Sequence, residues 1–395
     1  MGTLLLNYPS RFEAYGSVEI YELSRIHTLL SMGISPRPGA YSIPSLKQFE
    51  DIASRTVFIV PVKNEDPFVL EGVLRAIPYY SQVILVSNSQ REPLNMYKVE
   101  LDIARTIFKN TGRTIIILHQ KDKVLADNLA PHLPSIIGED SLVKDGKGEG
   151  MLIGAIIADA LRAENIAFVD ADNYIPSVVL EYALIYYTTL SMSESKYKMV
   201  RIYWGYKAWM SPGELYYRRM GRASSIVNAL FNKVLSYRRR VETDIIKTSN
   251  SGEHAMSMDL AREIVYGGGF SVETQELVSI LEKCYLGVER GLCPSLHGGI
   301  EIYQVESLSP HIHAEKGEAH VLEMIFESAS ALYHSEIAEE RGKSFILKTL
   351  GDLGFSRDPV QISKYEYPKI DARKLMDTVL TESSSSAGFG VWPDQ

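Results

Sequence analysis

Three short apolar runs, regularly interrupted, constrain this chain more than any other feature. Thr56-Val57-Phe58-Ile59-Val60-Pro61-Val62 is continuous and rich in β-branched residues. Such a run suits a strand buried on both faces, the usual condition in a parallel sheet. Gln82 to Ser87 and Thr114 to Leu118 repeat the pattern. Between them, Val69, Leu70, Val73, Leu74 and Ile77 recur at helical spacing, and Met96 to Phe108 is amphipathic. The order β-α-β-α-β predicts a parallel sheet with helices on both faces. Each run ends in polar residues: Lys63-Asn64-Glu65-Asp66, Asn88-Ser89-Gln90-Arg91 and His119-Gln120-Lys121-Asp122. Ligands of open α/β sheets lie at that carboxyl edge.

A further strand-like run leads into paired acids. Asn165 to Val169 turns apolar, and Asp170-Ala171-Asp172-Asn173 follows before a helix opened by Pro176. Two carboxylates at such an edge suit Mg²⁺ or Mn²⁺, which take oxygen ligands and commonly share them with phosphate. The same residues also suit a turn that caps the next helix. The motif alone leaves both readings open.

Other stretches add candidate groups. Lys144-Asp145-Gly146-Lys147-Gly148-Glu149-Gly150 opens a helix running from Met151 to Ala163. Glycines permit close backbone approach and a helix N-terminus attracts phosphate. Neither the P-loop spacing nor the dinucleotide fingerprint is present, so a flexible turn is the other reading. Gly221-Arg222-Ala223-Ser224, at the head of a helix, offers a guanidinium and a hydroxyl to a phosphate or carboxylate. Ser249 to Ser257 holds Gly252-Glu253-His254, and Tyr266 to Glu276 holds Glu273 at a helix start, where the dipole favours an acid. Glu301 to Glu306 reads as a strand ahead of Pro310-His311-Ile312-His313. On a strand the two histidines point the same way, and either can supply a nitrogen ligand. Tyr15 to Leu23 alternates weakly and is a candidate strand, within an opening segment expected to form a peripheral extension packed against the main sheet. Leu125 to Leu142 reads as irregular, Gly317 to Asp352 as mostly helical, and Glu382 to Gly390 as a mobile low-complexity tail.

A chain of 395 residues suits one large α/β domain or two smaller ones. The formal net charge of −8 argues against a general nucleic-acid binder. Yet between Arg201 and Arg240 nine lysines and arginines oppose Glu214 alone. Such a segment suits a small anionic ligand, or else a solvated helical face. Cys284 and Cys293 lack metal-like neighbours and fit a reducing compartment. No run is long and apolar enough to span a bilayer, and no basic leader opens the chain. Cytoplasmic residence without a membrane partner is therefore expected.

Taken in order, Pro61-Val62-Lys63-Asn64-Glu65, Gly146-Lys147-Gly148-Glu149-Gly150, Asp170-Ala171-Asp172, Gly221-Arg222-Ala223-Ser224, Gly252-Glu253-His254 and His311-Ile312-His313 resemble a GT-A-type glycosyltransferase. More narrowly, Thr56 to Tyr333 resembles the mannosyl-3-phosphoglycerate synthase family. The resemblance implies a Rossmann-like, mostly parallel sheet flanked by helices, with an acceptor-binding region and a C-terminal helical extension. The expected segments are an N-terminal extension (1–55), a nucleotide-sugar half (56–200), an acceptor half with the metal histidine (201–335), and C-terminal helices with a mobile tail (336–395). The implied reaction moves mannose from GDP-mannose to 3-phosphoglycerate with retention, on Mg, Mn or Co, in a homodimer.

The resemblance also assigns roles. Pro61, Val62, Lys63, Glu65 and Ser89 would line the guanosine pocket, and Lys147 with Gly148 would approach the diphosphate. Asp170 would face the ribose or donor sugar. Asp172 would bind metal, with His311 or His313 as second ligand. Gly221, Arg222, Ala223 and Ser224 would hold the acid acceptor, and Glu253, His254 and Glu273 would sit near the sugar and the acceptor hydroxyl. The catalytic set is then Asp170, Asp172, Glu253 and Glu273. A double displacement needs a carboxylate beneath C1, for which Glu273 is the candidate, by analogy with retaining glycosidases. The resemblance favours a front-face substitution instead. Glucosyl-3-phosphoglycerate synthases share the layout and are the alternative. A nucleotidyltransferase would usually carry a glycine-rich basic loop after the first strand, where this chain has Lys63-Asn64-Glu65. A non-catalytic sugar-nucleotide-binding module would need no metal pair with a separate basic segment.

Overall fold

The protein is described by a computed structural model that covers residues 2–7, 11–23, 25–29, 40–41, 46–204, 207–211, 214–218, 221–286, 299–313 and 316–391. Cys293 of the sequence reading lies outside the described residues. In chain order, β1 (Gly2–Asn7), β2 (Arg11–Tyr15), β3 (Val18–Leu23), β4 (Arg25–Leu29) and β5 (Ala40–Tyr41) precede α1 (Leu46–Ser54). Next come β6 (Thr56–Val62), α2 (Pro67–Ala76), β7 (Gln82–Ser87), α3 (Met96–Thr111), β8 (Ile115–His119), α4 (Lys123–Leu129), α5 (Lys147–Ala160), β9 (Asn165–Phe168) and α6 (Pro176–Met192). The second half holds β10 (Tyr197–Trp204), β11 (Lys207–Ser211), β12 (Glu214–Arg218), α7 (Arg222–Arg239), β13 (His254–Ser257), α8 (Met258–Ala261), β14 (Val265–Gly267), α9 (Val272–Leu281) and β15 (Ile300–Ser307). The chain closes with α10 (Glu318–Tyr333), α11 (Glu340–Asp352), β16 (Lys364–Glu366), α12 (Ala372–Glu382) and β17 (Ser386–Phe389).

Ten of these strands form one sheet, in the order β17-β8-β7-β6-β9-β13-β10-β15-β3-β2. The neighbours β8-β7-β6-β9 are parallel, as are β10-β15-β3. β13 runs antiparallel to both β9 and β10, so the two parallel blocks point the same way across it. β17 and β2 are antiparallel edges. The mixed α/β architecture with a mostly parallel sheet is the one the sequence predicts.

Burial on both faces explains the continuous runs. Val57 and Ile59 enter one apolar cluster, while Phe58, Val60 and Val62 enter the other. Ile84 and Val86 alternate with Val83 and Leu85 in the same way, as Ile116 and Leu118 do with Ile115 and Ile117. This is the period-2 geometry of a strand with no solvent face. The first cluster gathers α5, α7, α9 and α10, and the second gathers α2, α3 and α6.

Three expectations change. The opening segment is not merely peripheral: β2 and β3 extend the main sheet, with β3 paired along β15. The Leu125–Leu142 stretch contains the end of α4 and a 3₁₀ turn at Pro134–Ile136. The tail expected to be mobile instead forms β17 on the β8 edge. There the Tyr97 hydroxyl donates to the Ser385 carbonyl at 2.6 Å, His119 N–H donates to the same carbonyl at 3.1 Å, and Ser383 bonds Asp122.

An uncovered edge strand is a template for pairing with other chains. Ending the chain after Glu382 should therefore lower Tm by a few degrees and produce concentration-dependent aggregation. Light scattering during a thermal ramp reads both. An unchanged melt with no scattering would show that β17 is dispensable.

Candidate functional site

Asp170 and Asp172 follow β9, at the carboxyl ends of the parallel strands, and lysines from separate segments are drawn to them. Lys147, the first residue of α5, places Nζ 2.6 Å from Asp170 Oδ1 and 2.8 Å from Glu273 Oε1 at the start of α9. Lys316, just ahead of α10, places Nζ 2.8 Å from Glu65 Oε1 and 3.0 Å from Asp172 Oδ2. Lys207, which opens β11, stands over the Trp204 ring at 5.1 Å. The Asn173 amide donates to the Asp170 carbonyl at 2.9 Å and to Glu253 Oε1 at 3.2 Å.

Burial and charge set the protonation states. Burial opposes the charge on Lys147, but Asp170 and Glu273 outweigh it and hold its pKa well above the usual range. Asp170 is correspondingly held below the ordinary range, against burial, chiefly by Lys147. Burial also disfavours the Lys316 charge, yet Asp172 and Glu65 raise it to about 12. Glu65 is pushed up by burial despite Lys316, with Asp172 and Asp170 adding to the rise. Glu253 is fully buried, and burial followed by the Asp170 charge raises it to about 8. It is therefore a neutral acid at pH 7.

Packing beneath the pair is tight. A Cβ on Gly252 would lie 2.4 Å from Asp170 Oδ2 and 2.6 Å from Lys147 Nζ, so only glycine leaves room for that ion pair. A Cβ on Gly148 would lie 1.9 Å from the Gly267 carbonyl oxygen. Gly148 thus serves the docking of α5 against β14. Glu149, next in sequence, is also buried and accepts from the Gly269 N–H at 3.1 Å and the Tyr365 hydroxyl at 2.7 Å. The glycine-rich stretch joins α5 to the turn before α9, and by that route sets Lys147 against Glu273.

The remaining sequence candidates fall in distinct places. Lys63 is exposed, Glu65 and Pro61 are partly buried, and Val62 is core. Ser89 is buried beneath them, its hydroxyl engaged with Glu100 and with the Asn64 N–H at 2.7 Å. His254 has no exposed surface: its ring packs on Phe168 at 4.8 Å, and Nε2 lies 3.2 Å from Glu276 Oε2. Gly221 caps α7 without a side-chain hydrogen bond; Arg222 is exposed, Ala223 buried and Ser224 intermediate. His311 and His313 do not share a strand. His311 sits beyond β15 in a single bridge to Lys207, its ring stacked on Trp204 at 4.3 Å and 5.1 Å from that of His313. Tyr182 OH lies 3.2 Å from His311 Nδ1. Burial, reinforced by Lys207 and His313, keeps the His311 imidazole neutral.

Sequence reasoning missed Lys316, Lys207 and Arg201. Arg201 is wholly buried in β10, donating to Glu276 Oε2 and the Glu273 carbonyl, both at 2.9 Å, and to the Thr248 carbonyl at 3.1 Å. A charge inside the apolar run Met199-Val200-Arg201-Ile202 was its available signal. Lys207 had its membership of the basic Arg201–Arg240 segment, and Lys316 had none beyond a polar stretch.

The profile of the mannosyl-3-phosphoglycerate synthase family matches residues 8–379. A mannosyl-3-phosphoglycerate synthase of Aeropyrum pernix is 44% identical over 389 residues, covering 98% of this chain and 100% of that protein. One from Pyrococcus furiosus is 38% identical over 396 residues, again covering 98% and 100%. The chain belongs to the mannosyl-3-phosphoglycerate synthase family. It is a glycosyltransferase. Among solved structures, a Mycobacterium tuberculosis glucosyl-3-phosphoglycerate synthase with Mn²⁺, UDP-glucose and glycerol 3-phosphate aligns at a TM-score of 0.49 and 16% identity, covering 87% of this chain and 98% of that one. Among the described residues, no helix of this synthase-family chain is long and apolar enough to cross a membrane.

The family resemblance implies a divalent cation, and the donor set can be tested for it. Among the described residues no three His, Cys, Asp or Glu side chains form a metal cage. Mg²⁺-type sites, however, need only one or two carboxylates where a diphosphate completes the shell. Asp172 Oδ2 and Glu65 Oε1 converge on one ammonium, so their oxygens already share a cation position. Four carboxylates, of Glu65, Asp170, Asp172 and Glu273, contact two ammonium groups, of Lys147 and Lys316, while the Glu253 acid and Lys207 act on the group only through space. This oxygen-rich, acid-excess set fits a hard cation shared with a diphosphate.

Glu253 gives the site a measurable pH signature. Its folded pKa of about 8 exceeds the ordinary 4.5, so the folded state holds the proton more tightly. That contribution to stability is complete below about pH 4.5 and is lost as pH rises through about 8. Glu253→Gln should remove this part of the pH dependence. Denaturant unfolding at about pH 5 and about pH 9 measures it, and parallel slopes for the two proteins would refute the assignment.

Proposed function

We propose that this chain transfers mannose from GDP-mannose to the hydroxyl of 3-phosphoglycerate with retention, as a GT-A-type enzyme using a divalent cation. The carrying observation is the pair Asp170-Asp172 at the end of β9, with the basic, uncapped N-terminus of α7 in the same chain half as Lys207. A nucleotide diphosphate with its cation belongs on the acidic side, reached from Lys63 and Glu65. A doubly anionic acceptor belongs at α7, where free backbone N–H groups and Arg222 favour anions. Placement as a cytoplasmic homodimer without a nucleic-acid partner is part of the proposal and rests on the family likeness and the net charge of −8.

In this reading Asp172, with His311 or His313, would hold the cation, and Lys147 keeps Asp170 ionised and would fix it toward the donor sugar. The cation, when bound, neutralises charge on the departing diphosphate. Positioning two anions side by side supplies much of the rate. The carboxylates argue against a covalent route. Glu273 is ion-paired to Lys147 at 2.8 Å, Asp170 to the same lysine at 2.6 Å, and Glu253 is protonated near neutrality. None is a free ionised nucleophile. Front-face substitution asks for none: the acceptor hydroxyl attacks beside the leaving group, and the departing phosphate takes its proton.

The direct test is incubation with Mg²⁺, 3-phosphoglycerate and a panel of nucleotide sugars, following nucleoside diphosphate release. GDP from GDP-mannose is the expected product; release from UDP-glucose alone would replace the donor, and no release from any sugar would discard the proposal. Asp172→Ala should cut turnover by at least about 100-fold while the melting curve survives. Near-normal metal-dependent turnover would remove Asp172 from the metal site.

A further inference from the structure

The two acids that follow β9 have lysines of different kinds. Lys147 is built in: it opens α5, keeps 18% of its side chain exposed, and is closely packed against Gly252. Lys316 is laid on from outside. Among the described residues it supplies the ion pairs of both Glu65 and Asp172, at 2.8 and 3.0 Å. It keeps 38% of its side chain exposed, while those acids keep 13% and 11%. The ammonium is therefore the outer member of the group and covers the carboxylates it bonds. The chain beside it has room. Gly317 follows with φ of 85°, in the left-handed region, and nothing lies within 4 Å of where its Cβ would stand. The helix α10 begins only after that residue. A hard divalent cation that takes Asp172 needs the same oxygen lone pairs, and an ammonium at contact distance repels it. The two cannot share the position.

We propose that Lys316 is an internal cation that holds the place of the metal, and that it makes metal and nucleoside diphosphate bind cooperatively. This deepens the function proposed above and rests on its cation at Asp172. While the site waits, the ammonium relieves the repulsion between two neighbouring carboxylates. Metal arriving alone must displace it and leave it without a counter-charge. A diphosphate arriving with the metal brings the missing negative charge, so the exchange is then less costly. Coupling of this kind is reciprocal, and the metal tightens the diphosphate by the same factor. Asp170 takes no part in the exchange, because its lysine is seated on α5 and is also bound to Glu273.

The test titrates Mn²⁺ calorimetrically into wild type, Lys316→Met and Lys316→Arg, each without nucleotide and with saturating GDP, so that no turnover is involved. Asp172→Ala identifies the heat that belongs to the site. Lys316→Met should bind Mn²⁺ alone about 10-fold more tightly than wild type, a usual size for coupling between sites. GDP should then add little, whereas in wild type it should tighten Mn²⁺ by about 10-fold. Lys316→Arg should behave like wild type. The gain in Lys316→Met should persist at about 0.5 M KCl, where charges acting from beyond contact are largely screened. Equal Mn²⁺ affinity in wild type and Lys316→Met without nucleotide would overturn the proposal, as would a difference that salt erases or a GDP effect of the same size in both. If Asp172→Ala binds Mn²⁺ as well as wild type does, the cation site of the proposed function falls and this inference falls with it. Sugar transfer by wild type, together with unaltered Mn²⁺ binding by Lys316→Met, would remove the inference and leave the proposed function standing. Unchanged thermal melts of the variants separate these effects from unfolding.

Discussion

The contact on which the site depends is the Lys147 ammonium between Asp170 and Glu273. It joins the end of β9, the start of α5 and the start of α9, three elements far apart in sequence. Charges removed from water cost several kcal/mol each unless geometry and further hydrogen bonds repay them. Here the neighbours are arranged around that requirement. Gly252 leaves space at the pair, Gly148 lets α5 close on β14, and Glu149 holds the Gly269 N–H that begins the turn into α9. Arg201 adds a second layer, bonding the Glu273 carbonyl and the Glu276 carboxylate from beneath. Asp170 is thus fixed from the core outward.

This arrangement separates what the sequence could disclose from what it could not. β6 to β9 and their helices were legible because burial on both faces leaves an unbroken β-branched run. β17 was not. Ser386-Ala387-Gly388-Phe389 has little apolar content, and an edge strand is held mainly by backbone bonds, which any sequence can make. β3 was half legible, since its alternation is weak and its place beside β15 depends on a pairing made nearly 300 residues away.

The site divides in the same way. Asp170-Ala171-Asp172 could be read because a strand end and two acids are local facts. The glycine-rich stretch was read as a phosphate approach or a flexible turn; what could not be read was the packing of Gly148 and Glu149, whose partners, Gly267, Gly269 and Tyr365, lie more than 100 positions on. Lys316 was invisible, and Lys207 was read only as one member of a basic segment, for a more general reason. Lysine is ordinarily a surface residue, and nothing in its immediate sequence says that the fold will turn it inward toward acids.

That inward turn answers an electrostatic demand. The proposed chemistry brings two anions to one place, and an uncompensated group of five carboxylates would repel both. The chain lowers that charge by two means. Lysines enter from three separate segments, and Glu253, buried beside Asp170, keeps its proton near neutral pH. The acids left ionised are therefore unequal in character. Asp170 is neutralised by a lysine seated on a core helix, and its place is as rigid as that helix. Asp172 is neutralised by Lys316, carried on the segment between His313 and α10. Of the two acids, Asp172 has the counter-ion that does not come from the packed sheet and its helices, and this makes it the better suited to exchange partners when a substrate arrives.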